Sequence, residues 1–132
     1  MLYSLFLRTP EWYDRELPAR ADAEKWVREG HGQFDFPDAN HFIYMMELNN
    51  GFDAWSQLER IRCPVMIINM ASDNMVPVEL QQAQKAAARL KHATYLEVKE
   101  EGAYWHGALS RTITIWGPKL QAWLENIHRS SR

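Results

Sequence analysis

The sequence predicts an α/β fold of two parallel strands with flanking helices, preceded by a helical segment. Three observations predict it. Pro64 to Asn69 is an apolar run without polar alternation, bounded by turn residues, which is the pattern of a strand covered on both faces. Thr94 to Val98 is a second strand-like run. Between them, Val78 to Leu90 repeats apolar residues at helical intervals, and a strand–helix–strand unit with such a helix implies a right-handed parallel crossover.

The elements follow in chain order. Residues 1–20 mix aromatics with charges and contain Pro10 and Pro18, so an irregular segment or a short helix between the prolines is expected. Ala21 to Glu29 has helix-forming composition and stops at Gly30. Residues 31–37 read as a loop, punctuated by Gly32 and Pro37. Asp38 then stands as an N-cap for a helix from Ala39 to about Asn49, with Phe42, Met45, Met46 and Asn49 on one face. A short helix from Ala54 to Arg60 spaces Trp55, Leu58 and Ile61 by threes. This Met- and aromatic-rich pair reads either as a packed core face or as a lid over an acyl pocket.

Pro77 opens the crossover helix, whose apolar positions are Leu80, Ala83, Ala87 and Leu90. A last helix is expected from about Leu109 to Ile127, striped by Ile113, Trp116, Leu120, Trp123, Leu124 and Ile127. Gly117-Pro118 is expected to kink or split it. Two parallel strands with both faces apolar cannot cover themselves, which argues for a missing partner.

Composition narrows the function classes. Hydrophobic content of 46% and charged content of 24% are those of an ordinary globular chain. A net charge of −2 with scattered Lys and Arg gives no footprint for nucleic acid. No run approaches the length of a membrane span, and no secretory signal is recognisable, so a cytoplasmic protein is expected. The single cysteine, Cys63, excludes an intrachain disulfide and is expected to be a small buried packing residue. The histidines show no metal-ligand spacing, and no glycine-rich phosphate loop is present, so neither a metal nor a bound cofactor is expected.

Asp73 and His106 are the candidate catalytic residues. Asp73 follows the first strand on a turn, and His106 lies in the loop after the second. Catalytic groups of open α/β sheets sit at the carboxyl ends of strands, so neighbouring parallel strands bring both residues to one rim. There the carboxylate can hold the imidazole Nδ1–H while Nε2 takes a proton from a nucleophile. The competing reading makes Asp73 a turn or cap residue and His106 a surface imidazole. Glu100-Glu101 either tunes His106 or forms a solvated acidic turn.

Residues 39–124 resemble the C-terminal part of the α/β-hydrolase superfamily, in particular its homoserine O-acetyltransferase-like branch. The matching pieces are Asp38-Ala-Asn-His-Phe-Ile-Tyr, Leu58-Glu-Arg-Ile-Arg-Cys-Pro-Val, Ser72-Asp73-x-x-x-Pro77, the Leu90 to Val98 stretch and the His106 loop. The resemblance implies that Asp73 is the acid and His106 the base of a catalytic triad. It implies residues 1–37 as a cap or lid remnant and 38–132 as the C-terminal part of the hydrolase domain. It also implies a small-molecule acyl donor, an acyl thioester such as acetyl-CoA as co-substrate, and a hydroxyl acceptor.

The sequence departs from that family in two places. Trp105 stands where the family usually has a glycine before the histidine. No Gly-x-Ser-x-Gly nucleophile elbow is present, and none of Ser4, Ser56, Ser72, Ser110, Ser130 or Ser131 has its glycine frame. The resulting expectation is an acyltransferase or esterase fragment without turnover of its own. The alternative is a non-catalytic module that forms a homodimer or complements an N-terminal half through its open sheet edge and apolar faces.

Overall fold

A computed structural model describes residues 7–30, 38–99 and 106–130. The fold is mixed α/β, two parallel strands with flanking helices. In order come α1 (Pro10–Glu16), α2 (Arg20–Gly30), α3 (Ala39–Gly51), a 3-10 segment Trp55–Arg60, β1 (Val65–Met70), a 3-10 turn Val78–Leu80, α4 (Gln82–Arg89), β2 (Ala93–Val98), α5 (Ala108–Arg111) and α6 (Ile113–Ser130). The expected loop over 31–37, Glu100-Glu101 and Trp105 lie outside the described residues.

The strands pair in parallel from Val65↔Ala93 to Met70↔Val98. The ladder runs one bond further, with the Ala71 N–H donating to the Val98 carbonyl at 2.9 Å. Both carboxyl ends therefore stop at the same level. α4 packs across both strands and α5 packs on β1. The buried apolar core is Met70, Val98 and Ala108, backed by Ile68, Leu96, Leu109, Ile115 and Trp116. It lies beneath the strand ends that carry the candidate site.

Several local features follow from side chains. Thr9 caps α1 by accepting from the Trp12 N–H, with Pro10 at the first helical position. Asp38 caps α3 by accepting from the Asn40 N–H at 3.0 Å, as its position predicts.

Four expectations need correction. The crossover helix is not continuous: Gln81 is left-handed at φ 55°, which separates the 3-10 turn from α4. Its N–H donates to the Val78 carbonyl at 3.0 Å and its carbonyl accepts from the Lys85 N–H at 2.8 Å, so the break is bonded on both sides.

The last helix divides at Thr112 rather than at Gly117-Pro118. Around Thr112, the Leu109 carbonyl accepts from the Thr112 N–H at 3.3 Å and from the Trp116 Nε1–H at 2.8 Å. The buried Thr112 hydroxyl also lies within 3.1 Å of both the Ala108 and Leu109 carbonyls. The Ala108 carbonyl still accepts the Thr112 N–H at 3.1 Å, but the Leu109 carbonyl, which a continuous helix would bond to the Ile113 N–H, is taken by Thr112 and Trp116, and α5 ends there. Gly117 lets α6 continue into Pro118, because it has no Cβ to press on the proline ring.

The first strand is buried only at its carboxyl end, Asn69 and Met70; Val65 to Ile68 are half-exposed. Cys63 is exposed rather than packed, because it precedes β1 and lies outside the small core.

Candidate active site

The sequence places an acid after β1, and the backbone turns it inward. The Asp73 N–H donates to the Met70 carbonyl at 3.2 Å, closing a tight turn directly beyond the strand. The carboxylate is buried, at 8% exposure. Its Oδ1 accepts from the Met75 N–H at 2.8 Å and from the Val76 N–H at 3.3 Å, which fixes its orientation. Asn69, a buried polar residue within the apolar strand, donates from Nδ2 to the Val76 carbonyl at 3.4 Å and closes the same loop from below.

His106 comes to this carboxylate from the loop after β2. Its Nδ1 lies 2.9 Å from Asp73 Oδ2 and 3.1 Å from Oδ1. The contact fits the tautomer protonated at Nδ1, which donates to the acid and leaves Nε2 a lone pair. The His106 side chain is 46% exposed, against 10% for that of Asp73. Among the described residues no side chain bonds Nε2. The pair thus has a buried, oriented acid and a base open to an incoming group.

The N-terminal segment reaches the same rim. The Leu7 carbonyl accepts the His106 N–H at 2.8 Å, and the Arg8 carbonyl accepts from Asn74 Nδ2 at 3.3 Å. Arg8 is fixed in turn, its guanidinium carbon 4.6 Å from the Trp12 ring centre and 5.2 Å from that of Trp26. Burial pushes the neighbouring Tyr13 phenol up, and the Arg8 charge opposes the shift. Sequence reasoning singled out none of Leu7, Arg8, Asn69 or Asn74. Only Asn69 carried a signal, a polar side chain inside an apolar strand.

Both candidate residues are therefore brought together at one end of the sheet. The serines are placed elsewhere or otherwise occupied. Ser110 Oγ donates to the Gly107 carbonyl at 2.9 Å and Ser130 Oγ to the Asn126 carbonyl at 2.9 Å, while Ser56 is exposed in its 3-10 segment. Ser72 is half-buried on the Asp73 turn; Ser4 and Ser131 lie outside the described residues. No group of three or more His, Cys, Asp or Glu side chains capable of holding a metal ion comes together among the described residues. No helix among them is long and apolar enough to cross a membrane.

No family model matches the sequence, and no solved structure matches it. A protein of Pseudomonas syringae pv. syringae (strain B728a), named as a carbamate hydrolase, RutD, is 29% identical over 99 residues. Those residues cover 75% of this chain and 36% of that protein. The likeness supports the α/β-hydrolase superfamily. The chain spans about a third of its relative's length.

Proposed function

We propose that this chain is the acid- and base-bearing portion of an α/β-hydrolase-fold enzyme that cleaves an acyl compound through an acyl-serine. Asp73 holds the His106 imidazole and stabilises its protonated form, and His106 Nε2 takes the proton of the attacking hydroxyl and returns it to the leaving group. The observation that carries this reading is the 2.9 Å contact between His106 Nδ1 and the buried Asp73 carboxylate. The relative named as a carbamate hydrolase favours water as the acceptor. Transfer from an acyl thioester such as acetyl-CoA to a hydroxyl acceptor, the homoserine O-acetyltransferase-like reading, rests on the sequence resemblance alone.

The nucleophile in this proposal comes from a polypeptide segment carrying Gly-x-Ser-x-Gly, either joined to this chain in a longer gene product or supplied as a complementing half. Exposed apolar side chains favour such a partner: Ile43 is 49% exposed, Tyr44 68%, Leu48 74% and Phe52 76%. The same surface supports the second reading, a non-catalytic module that associates with another chain.

Hydrolysis of p-nitrophenyl acetate by the 132-residue chain, alone and co-expressed with the segment encoded upstream of Met1, distinguishes the readings. The expected result is no turnover alone, and turnover with the upstream segment that His106→Ala removes. Activity of the chain by itself, lost in His106→Ala, would refute the external nucleophile. Complemented activity indifferent to both His106→Ala and Asp73→Asn would refute the dyad.

A further inference from the structure

The sheet ladder gives out before either member of the pair. Its last bond joins Ala71 to Val98, and Asp73 and His106 lie beyond it on separate loops. The imidazole is half-exposed, and an exposed pair contributes little toward its own alignment. A third segment meets both loops. The Leu7 carbonyl accepts the His106 N–H at 2.8 Å, and the next carbonyl, that of Arg8, accepts from Asn74 Nδ2 at 3.3 Å. Asn74 stands inside the loop that Asp73 Oδ1 closes on the Met75 N–H, so a hold on its side chain is a hold on the loop that carries the acid.

The segment that makes these bonds is itself fixed. Arg8 directly precedes Thr9, the cap of α1. Its guanidinium lies against the Trp12 and Trp26 rings and hydrogen-bonds the Tyr13 phenol. Those three rings pack on one another, with centroids 5.2 to 6.2 Å apart, so α1 and α2 together anchor the segment. We infer that Leu7 and Arg8 form a brace that aligns the two loops, and that Asn74 is a positioning residue acting on His106 through the loop of Asp73. The brace keeps the Nδ1–H of His106 against the acid and so leaves Nε2 unprotonated. Its catalytic meaning rests on the acyl-cleaving reading of the pair; the alignment does not.

The test is the tautomer of His106, read from its imidazole ¹⁵N shifts in the labelled 132-residue chain at a pH where the ring is neutral. In the native chain the Nδ1–H form is expected to predominate. Asn74→Ala, at an exposed position, is expected to lower the ratio of Nδ1–H to Nε2–H by at least about two-fold, as suits a bond as long as 3.3 Å. The midpoint of urea unfolding records any general loss of structure separately. Asn74→Gln, which keeps an amide donor, is expected to recover part of the ratio. Arg8→Ala is expected to lower it too, with faster exchange of the His106 N–H, and the two alanine variants combined should fall short of additive. An unchanged ratio in either alanine variant, or effects that simply add, overturns the brace. A ratio in Asn74→Gln no better than in Asn74→Ala overturns the role of the amide. A native chain in the Nε2–H form overturns the pairing with Asp73 itself. Complemented protein that turns over without His106 refutes the acyl-cleaving reading and leaves the ratio untouched, so the failures are told apart.

Discussion

Replacing Asp73 separates its two roles, orienter of His106 and cap of its own loop. The carboxylate accepts the Met75 N–H at 2.8 Å, the Val76 N–H at 3.3 Å and a bond from His106 at 2.9 Å. A hydrogen bond to a buried charged acceptor contributes about 1.5–3 kcal/mol, but Met75 and Val76 are exposed residues whose N–H groups water can partly serve. About 1 kcal/mol for the shorter bond and half that for the longer are reasonable here. The imidazole is half-exposed, so its pairing adds no more than about 0.5 kcal/mol. Asp73→Ala removes all three and is expected to destabilise the fold by about 2 kcal/mol, a fall of about 8 °C in Tm for a chain of this size. Asp73→Asn keeps a side-chain oxygen for the two amides and is expected to lose less than half as much. Urea unfolding gives the totals. Amide exchange at Met75 and Val76 gives the mechanism, with protection lost in the alanine variant and retained in the asparagine one. Equal destabilisation by the two variants, with amide protection intact in both, would refute the capping account.

Three further outcomes are expected. Burial raises the Tyr95 phenol above its ordinary value, with Asn69 opposing the shift and the Glu97 charge adding to it. Its contribution is therefore fully present below a pH of about 10 and is lost as pH rises through the elevated value, so Tyr95→Phe should flatten the alkaline fall in the urea midpoint. Cys63 is exposed and should react with Ellman's reagent in the native protein without denaturant; a thiol that reacts only on unfolding would contradict its placement. Gln81 holds a left-handed backbone that a side chain disfavours by about 1 kcal/mol, so Gln81→Gly should raise Tm by a few degrees, less what glycine adds to the entropy of the unfolded chain.

Much of the architecture was legible because it rests on patterns that tertiary context does not reverse. An unbroken Val-Met-Ile run had few alternatives to a strand, and a helix between two such runs fixed their parallel pairing. That pairing placed Asp73 and His106 at one rim before any distance was known. The breaks were not legible, because each depends on a single backbone choice. Gln81 is not a residue that favours the left-handed region, and α5 ends at Thr112 because Thr112 and Trp116 take the Leu109 carbonyl. A backbone carbonyl such as that of Leu7 leaves no mark in sequence at all, and so the segment that bonds the His106 N–H went unseen. Cys63 was misread for a related reason: a preference for burial says little in a chain with so little interior.

That scarcity of interior bears on what the chain is for. Among the described residues only Met70, Val98 and Ala108 are fully buried apolar side chains. A fully buried Met or Val contributes about 1.5–3 kcal/mol, while ordering each residue's backbone costs about 1–2 kcal/mol. α3 shows where the deficit lies. Phe42, Ile43, Tyr44, Met45, Met46 and Leu48 make it apolar around most of its circumference, yet none of its residues is buried. A helix of that composition belongs inside a larger core rather than at a surface. β1 is buried only at Asn69 and Met70, and the His106 side chain, bonded to Asp73 through Nδ1, is 46% exposed. A polypeptide packed against α3 would bury that surface, and under the proposed function the same polypeptide would carry the nucleophile to the rim that holds His106.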